Sequence, residues 1–275
     1  MGRRTARRAV VRHDGTQVLR RPDTLAVEEP LELRVGGRAL TVTMRTPGDD
    51  MDLAAGFLVS EGVLRRTDDL LAMRYCAGAT VEGVNTYNVL ELDLHPSVPD
   101  VHASLVRSFA TTSACGVCGK ASLDDVRTTT SYDVAGDPLA ITPALLTALP
   151  ERLREAQRVF DKTGGLHAAG LFDGAGELLV MREDVGRHNA VDKVVGWALR
   201  EGRLPLSGCV LLVSGRASFE LVQKAWMAGI PCLAAVSAPS SLAADLAEEA
   251  GMTLVGFLRG DTFNAYTRAD RLVSP

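Results

Sequence analysis

The sequence predicts an α/β protein in two parts, a parallel-sheet domain in the C-terminal half preceded by a smaller α+β domain. In the second half, continuous apolar runs at residues 210–213, 230–236 and 252–258 alternate with helical patterns. Such runs are typical of strands buried on both faces, and the alternation predicts parallel pairing through crossover helices. In the first half, apolar and polar residues alternate, which predicts the half-buried strands of a small sheet. The length of 275 residues also fits two compact units.

The first half opens with a hairpin pattern that is followed by a helix pattern. Residues 31–35 and 40–44 alternate between apolar and polar side chains on either side of Gly36-Gly37, which predicts two antiparallel strands. The turn Thr46-Pro47-Gly48-Asp49-Asp50 leads into a predicted helix that ends near Ser60.

The middle of the chain changes from regular elements to a polar connection. Residues 90–94 predict a strand and residues 101–109 a short helix. Over residues 111–137 the periodicity fades, and Gly, Ser, Thr and Asp dominate. Thr142-Pro143 then predicts a helix start in the preferred N-cap and N1 positions, and Pro150 is expected to kink or restart that helix.

The second half begins with a predicted hairpin over residues 166–172 and 178–182, around the turn Asp173-Gly174-Ala175-Gly176. A helix with an apolar stripe follows over residues 190–199. The three parallel strands come next, joined by helices that we predict over residues 219–228 and 242–250.

Composition and charge narrow the class of protein. Hydrophobic residues make up 46% of the chain, and no apolar run reaches the roughly 18 residues that a membrane span needs. Five arginines give the first twelve residues a charge of +5, so the remainder carries −9 because the whole chain carries −4. We interpret this arm as a solvated terminus, since it lacks the apolar region of an export signal. The acidic charge of the remaining residues argues against nucleic acid as a partner. The predicted division is a flexible arm (1–17), an α+β domain (18–110), a cysteine-bearing connection (111–137) and an α/β domain (138–275).

The sharpest chemical signal is the pair Cys115 and Cys118, in the sequence Thr112-Ser113-Ala114-Cys115-Gly116-Val117-Cys118-Gly119-Lys120. Five cysteines without a signal peptide predict reduced thiols and a cytoplasmic protein. No second Cys-x-x-Cys completes a structural zinc site, while the flanking glycines leave the thiols approachable and Lys120 would favour the thiolate. The motif alone leaves three interpretations open. The two cysteines could serve persulfide or redox chemistry, bind a metal, or lie close together by chance.

Polar loops follow the three predicted parallel strands, at residues 214–218, 237–241 and 259–264. Ligands of open α/β sheets bind outside the carboxyl ends of the strands, where hydroxyls, glycine amides and arginine suit phosphate. Asp261 can accept hydrogen bonds from the amino–imino edge of guanine, and Phe257 or Phe263 can stack on a base. Ordinary helix capping is the alternative for each loop alone, but three converging loops favour a nucleotide site.

Two further polar patterns require interpretation. The segment Glu183-Asp184-Val185-Gly186-Arg187-His188-Asn189 is either a helix cap with surface charges or a second part of the cleft, with Arg187 and His188 facing an anion. A partial zinc-deaminase signature, His167-Ala168-Ala169 followed by Pro231-Cys232-Leu233-Ala234-Ala235, lacks the catalytic glutamate and the last cysteine ligand. We therefore reject deamination.

Together these motifs resemble the formate dehydrogenase accessory sulfurtransferases. The motifs that occur in the same order in that family are residues 115–120, 164–169, 183–193, Ser214-Gly215-Arg216 and Phe257-Leu258-Arg259-Gly260, with Thr46 to Asp50 and Glu61-Gly62 upstream. The resemblance covers nearly the whole chain beyond the Arg-rich arm.

The resemblance implies a homodimer whose C-terminal domain has a cytidine-deaminase-like, three-layer α/β/α fold. It implies a sulfurtransferase that takes sulfur from a cysteine desulfurase and delivers it to the Mo-bis(molybdopterin guanine dinucleotide) cofactor of formate dehydrogenase, bound as a substrate, with no resident metal. Cys115 would carry the persulfide, assisted by Cys118. Contacts to the cofactor are expected from Phe257, Leu258, Arg259, Gly260, Asp261, Thr262, Arg216 and His188. A non-catalytic cofactor chaperone and a dithiol oxidoreductase are the alternatives.

Overall fold

The computed structural model describes residues 3–76, 80–81, 84–102 and 130–273. These residues form a four-stranded sheet near the N-terminus, a six-stranded sheet in the C-terminal part and two separate two-stranded sheets. The two-stranded sheets are the hairpins β1 (Thr5–Asp14) with β2 (Gln17–Ala26), and β6 (Thr80–Val81) with β7 (Val84–Asn85). No helix among the described residues is both long and apolar enough to span a membrane.

The four-stranded sheet contains the predicted hairpin. Its strands are β3 (Glu29–Val35), β4 (Arg38–Arg45), β5 (Leu70–Tyr75) and β8 (Val89–Leu94), in the order β4-β3-β8-β5. Helix α1 (Asp50–Ser60) starts directly after the turn that the sequence predicts, and Gly62, just beyond it, has a φ of 77°. The hairpin, the helix and strand β8 are confirmed, whereas β5 was not predicted.

The six-stranded sheet is mixed. Its strands are β9 (His167–Phe172), β10 (Leu178–Asp184), β11 (Val210–Val213), β12 (Cys232–Ala235), β13 (Thr253–Arg259) and β14 (Thr262–Thr267), in the order β10-β9-β11-β12-β13-β14. The pairs β11–β12 and β12–β13 are parallel, which confirms the prediction from the apolar runs. The outer strands pair antiparallel with their neighbours.

Helices cover both faces of this sheet. They are α2 (Pro143–Ala156), α3 (Phe160–Thr163), α4 (Arg187–Arg200), α5 (Phe219–Met227) and α6 (Ser241–Glu249). Along β11, Leu211 and Val213 pack into the core that contains α1, α4, α5 and α6, while Val210 and Leu212 pack with α2 on the opposite face. This alternation follows from the two-residue period of a strand. It confirms an α/β fold with three layers.

The helix α2 begins as the sequence predicts but differs at its proline. The Thr142 hydroxyl accepts a hydrogen bond from the Leu145 amide at 3.2 Å, so the N-cap is confirmed. The expected restart at Pro150 is wrong, because the helix continues through it to Ala156. Leu146, Leu149 and Leu153 are buried against the sheet, and this packing outweighs the loss of one backbone hydrogen bond.

The two parts of the chain share one hydrophobic core. Helix α1 crosses α4 where Gly56 and Gly196 face each other, and a Cβ on Gly56 would lie 1.8 Å from the Asp192 carbonyl oxygen. The backbones therefore touch without side chains between them. Around the crossing, Leu53 and Leu58 of α1 belong to the same buried cluster as the inner face of the six-stranded sheet.

Two predicted segments differ in the structure, and part of a third lies outside it. Residues 5–26 form a β-hairpin, in place of the flexible arm expected over residues 1–17. The loop expected over residues 259–264 is reduced to a tight turn, because Thr262 already begins β14. Residues 103–109 of the predicted short helix and residues 111–129 of the predicted connection lie outside the described residues.

Candidate functional site

The loops at the carboxyl ends of the parallel strands meet at one edge of the six-stranded sheet. The Ser237 amide donates to the Gly215 carbonyl at 3.3 Å, and the Ser240 amide donates to the Ala217 carbonyl at 3.0 Å. The Phe257 amide in turn donates to the Ser237 carbonyl at 3.2 Å. The predicted convergence of the three loops is therefore present in the structure.

Phe257 stands out at this edge. Its φ is 53°, in the left-handed region that L residues other than glycine, asparagine and aspartate rarely adopt. An irregularity in the pairing of β13 with β14 lies between Gly256 and Arg259, and the Phe257 side chain is 38% exposed. Strained backbone that presents an exposed ring points to a functional position.

Arg259 is held beside this ring. Its guanidinium carbon lies 5.6 Å from the centre of the Phe257 ring, and its Nε donates to the Val236 carbonyl at 2.9 Å. One nitrogen thus fixes the side chain, while the terminal nitrogens have no hydrogen-bond partner among the residues that the structure describes. Ring and guanidinium together offer an aromatic face and a positive charge, which suit a base or a phosphate.

The remaining residues of this turn differ in what they expose. Leu258 is fully buried in the core, so only its backbone can meet a ligand. Gly260 has a φ of 50°, which the tight turn between the strands requires. Asp261 and Thr262 are exposed, and the Thr262 hydroxyl donates to the Arg259 carbonyl at 3.3 Å.

The other end of this edge carries a histidine–carboxylate pair. His188 Nε2 lies 2.5 Å from Glu220 Oε2 and 3.4 Å from the Ser218 hydroxyl. His188 is at the start of α4 and Glu220 in the first turn of α5, so the pair joins the segment after β10 to the loop after β11. Arg216 lies in that loop and is exposed.

Several polar groups around this pair lack partners. Arg187 Nε, Glu220 Oε1 and Gln223 Oε1 are buried, and none has a hydrogen-bond partner among the described residues. Burial lowers the pKa of His167, and the nearby charges of Arg187 and His188 lower it further. Buried polar atoms are nearly always satisfied, so these groups suit a ligand that supplies both donors and acceptors.

The segment from Glu183 to Asn189 serves partly as scaffold. The Glu183 carboxylate accepts from the amides of Val159 and Phe160 at 3.0 and 2.7 Å, which anchors the start of α3. Glu183 is therefore a cap, as one interpretation of the sequence held. His188 lies beside Ser218 and Glu220, next to the loop after β11. That Arg187 and His188 face an anion stays a prediction.

Asp184 ties the site to the N-terminal part of the chain. It is fully buried and accepts hydrogen bonds from Lys193 Nζ at 2.7 Å and from the Thr46 amide at 3.1 Å. It also accepts from the Gly186 amide and the Asn189 side chain, at 2.8 and 3.0 Å. One carboxylate therefore holds both the backbone that precedes Arg187 and the turn that precedes α1.

The cysteines divide into two groups. Cys115 and Cys118 lie outside the described residues, so their predicted role stays a prediction. Burial raises the pKa of Cys209 to about 11 and that of Cys232 to about 12. Both thiols are therefore poor nucleophiles at neutral pH. Cys76 is half-buried.

The two halves of the partial deaminase signature are far apart. His167 precedes Ala169, which pairs with Val213 at the carboxyl end of β11, whereas Cys232 pairs with Val210 at the opposite end. Along a strand this separation is on the order of 13 Å or more, so the two side chains cannot ligate one ion.

A family model and individual known proteins that are similar to this chain point to the same family. The model of the FdhD/NarQ family matches residues 26–273. A protein from Streptomyces coelicolor named "Sulfur carrier protein FdhD" is 64% identical over 273 residues, which cover 99% of this chain and 97% of that protein. A protein of the same name from Mycolicibacterium paratuberculosis is 60% identical over 268 residues, with 98% of each chain covered.

A solved structure supports the fold. It is described as "Crystal structure of a putative formate dehydrogenase accessory protein from Desulfotalea psychrophila" and has a TM-score of 0.75 to this chain. The two are 23% identical, with 98% of this chain and 99% of that one covered. At this identity the similarity concerns the arrangement of helices and strands.

Proposed function

Because the chain belongs to the FdhD/NarQ family, we propose that it is a sulfur carrier that acts in the maturation of formate dehydrogenase. In this proposal the chain is a sulfurtransferase. Cys115 receives sulfur from a cysteine desulfurase and passes it to Mo-bis(molybdopterin guanine dinucleotide), which is bound as a substrate. We further propose that the carrier works as a homodimer in the cytoplasm.

The observation that carries the proposal is the continuous polar edge of the six-stranded sheet. It runs from the His188–Glu220 pair, past the loops after β11 and β12, to Phe257 and Arg259. From β9 to β13 the edge spans three strand spacings, about 14 Å. An elongated substrate fits such an edge better than a mononucleotide does.

The residues at the two ends suit different parts of that substrate. The exposed Phe257 ring and the Arg259 guanidinium offer stacking and a counter-charge, which suit a guanine and its phosphates. At the other end, Glu220 Oε1 and Gln223 Oε1 are acceptors without partners among the described residues. They suit the amino–imino edge of a guanine or a pterin ring, as does the exposed Asp261 at the other end.

Sulfur transfer needs a soft nucleophile more than a general base. In the accepting step the Cys115 thiolate attacks the outer sulfur of the donor persulfide, the donor S–S bond breaks, and the donor cysteine leaves as a thiolate. Cys118, three residues further along the sequence, would polarise, resolve or briefly share the sulfur. The described thiols Cys209 and Cys232 are not suited to this step, because burial raises the pKa of each.

Intact-mass measurement tests the carrier function. The purified chain is incubated with a cysteine desulfurase and cysteine, and we expect an adduct of about 32 Da, one sulfur atom, that cyanide removes. Cys115→Ala should abolish the adduct and the maturation of formate dehydrogenase, while Cys76→Ala, the matched control, should keep both. Cys118→Ala should reduce them less.

The same measurement separates the alternatives. A non-catalytic chaperone would support maturation without the adduct, and a dithiol oxidoreductase would form a Cys115–Cys118 disulfide without a cyanide-labile sulfur. Full maturation by Cys115→Ala would overturn the assignment of that cysteine as the carrier.

A further inference from the structure

The N-terminal hairpin of β1 and β2 has no part in the function proposed above. It forms a two-stranded sheet of its own, and the match to the family model begins only at residue 26. Its base is tied to the body by the ion pair of Arg4 with Asp49 at 2.6 Å and by contacts between β2 and α3. Isolated two-stranded hairpins are marginally stable in water, so this one gains from a binding partner.

The hairpin is strongly and specifically basic. Residues 5–26 contain five arginines, no lysine and two aspartates. An open groove of about 330 Å³ is lined by Arg7, Arg8, Ala9, Arg20, Arg21 and Pro22. Among the described residues no carboxylate pairs with any of these four arginines, so their guanidinium groups are available to an anionic ligand. Arginine in place of lysine favours forked recognition of carboxylates or phosphates.

The apolar side chains of the hairpin indicate which kind of anion it binds. Val11 and Val18 are 52% and 60% exposed on one face, and Leu19 and Leu25 are 49% and 43% exposed on the other. A membrane-bound element would collect its apolar residues on one face. A single-stranded nucleic-acid site would offer aromatic rings, and residues 5–26 contain none of Phe, Tyr and Trp. Arginine mixed with exposed apolar residues is typical of protein–protein interfaces.

The register shows which strand edge is open. Asp14 pairs with Gln17 across a two-residue turn, and the Val27 amide bonds to the Arg4 carbonyl, so the even-numbered residues of β1 form the hydrogen-bonded pairs. The backbone groups of Thr5, Ala9 and the other odd-numbered residues of β1 therefore point outward. The outer edge of β2 contains Pro22, which pairs with Ala9. Because proline has no amide hydrogen to donate, this edge is less suited to pair with a further strand. An added strand would pair with β1.

We propose that this hairpin is a docking surface for an acidic, extended segment of a partner protein. The segment adds to the outer edge of β1 as a third strand, its carboxylates meet the arginines of the groove, and its apolar side chains cover Val11 and Val18. This mode of recognition takes affinity from backbone hydrogen bonds and specificity from side chains. It is independent of sulfur transfer.

Fluorescence anisotropy with the full-length chain tests the docking surface. The probe is a labelled peptide of alternating glutamate and valine, and its counterpart with lysine in place of glutamate should not bind. Arg8→Gln combined with Arg21→Gln should weaken binding about 3- to 30-fold, from two contacts of roughly 0.3–1 kcal/mol each. Arg38→Gln combined with Arg158→Gln removes the same charge from exposed positions on the body and should leave the affinity unchanged.

A second variant tests strand addition apart from charge. Ala9→Pro removes one outward amide of β1 and no charge, and it should also weaken binding, with an unchanged circular-dichroism spectrum. Equal loss in the control variant, or no binding of the acidic peptide, would overturn the proposal. So would tighter, hairpin-dependent binding to single-stranded RNA or to phosphatidylglycerol vesicles, which would assign the surface to a nucleic acid or a membrane.

Discussion

Replacement of Lys193 by methionine should destabilise the fold strongly. The Lys193 side chain is 1% exposed, and its Nζ donates to Asp184 Oδ2 at 2.7 Å and to the Thr46 carbonyl at 3.0 Å. Methionine fills a similar volume but leaves the buried Asp184 charge without its cation. Breaking a buried pair on one side costs about 3–5 kcal/mol, because the remaining charge is desolvated and uncompensated.

Urea unfolding, followed by circular dichroism, measures this cost. With a slope of about 2–3 kcal/mol per molar urea, the midpoint should fall by roughly 1–2.5 M. Lys162→Met makes the same chemical change at an exposed position and should alter the free energy of unfolding by less than about 0.5 kcal/mol. Asp184→Asn in the Lys193→Met background removes the uncompensated buried charge and should restore part of the lost stability. A cost below about 1 kcal/mol for Lys193→Met would refute the reasoning, since the pair would then contribute no more than a surface contact.

Three further predictions concern the strand edge and the helix crossing. Calorimetry should detect binding of GDP in the presence of a chelator, and Phe257→Ala should weaken it by the roughly 1–3 kcal/mol of a stacked base; no heat at millimolar GDP would count against the site. Arg259→Ala should lower the affinity for GDP about ten- to a hundredfold, and the variant should still acquire the sulfur adduct. An unchanged affinity would mean that the guanine binds elsewhere, and residues 183–189 would be the next candidate. Gly196→Ala places a Cβ 1.8 Å from the Asp52 carbonyl oxygen and should cost about 3 kcal/mol or more in urea unfolding, while Gly165→Ala, with its nearest neighbour at 3.7 Å, should cost little.

The sequence predicted the elements whose burial is regular. Strands buried on both faces appear as apolar runs, so β11, β12 and β13 could be recognised, and with them the edge at which their loops meet. Strand β14 could not, because most of its side chains are exposed and give no apolar alternation. The N-terminal hairpin was missed for the same reason, since most of its side chains are exposed and none is fully buried.

Individual contacts at this edge were predictable only between residues that are also close in the sequence. Phe257 and Arg259 lie two residues apart on one strand end, and the prediction included both. Glu220 was missed although it lies two residues after the polar loop, because only the fold brings His188 within reach of it. The contact of Asp184 with the Thr46 amide joins residues 138 positions apart, and no local pattern encodes it.

The left-handed backbone at Phe257 places stability and binding in opposition. A residue other than glycine in this conformation costs the folded state about 1–2 kcal/mol. Glycine at position 257 would relieve that cost and give a more stable protein, yet it would remove the ring on which, in the proposed site, a base stacks. If that proposal holds, selection for thermal stability alone would drift toward glycine here and yield variants that fold well but bind GDP poorly.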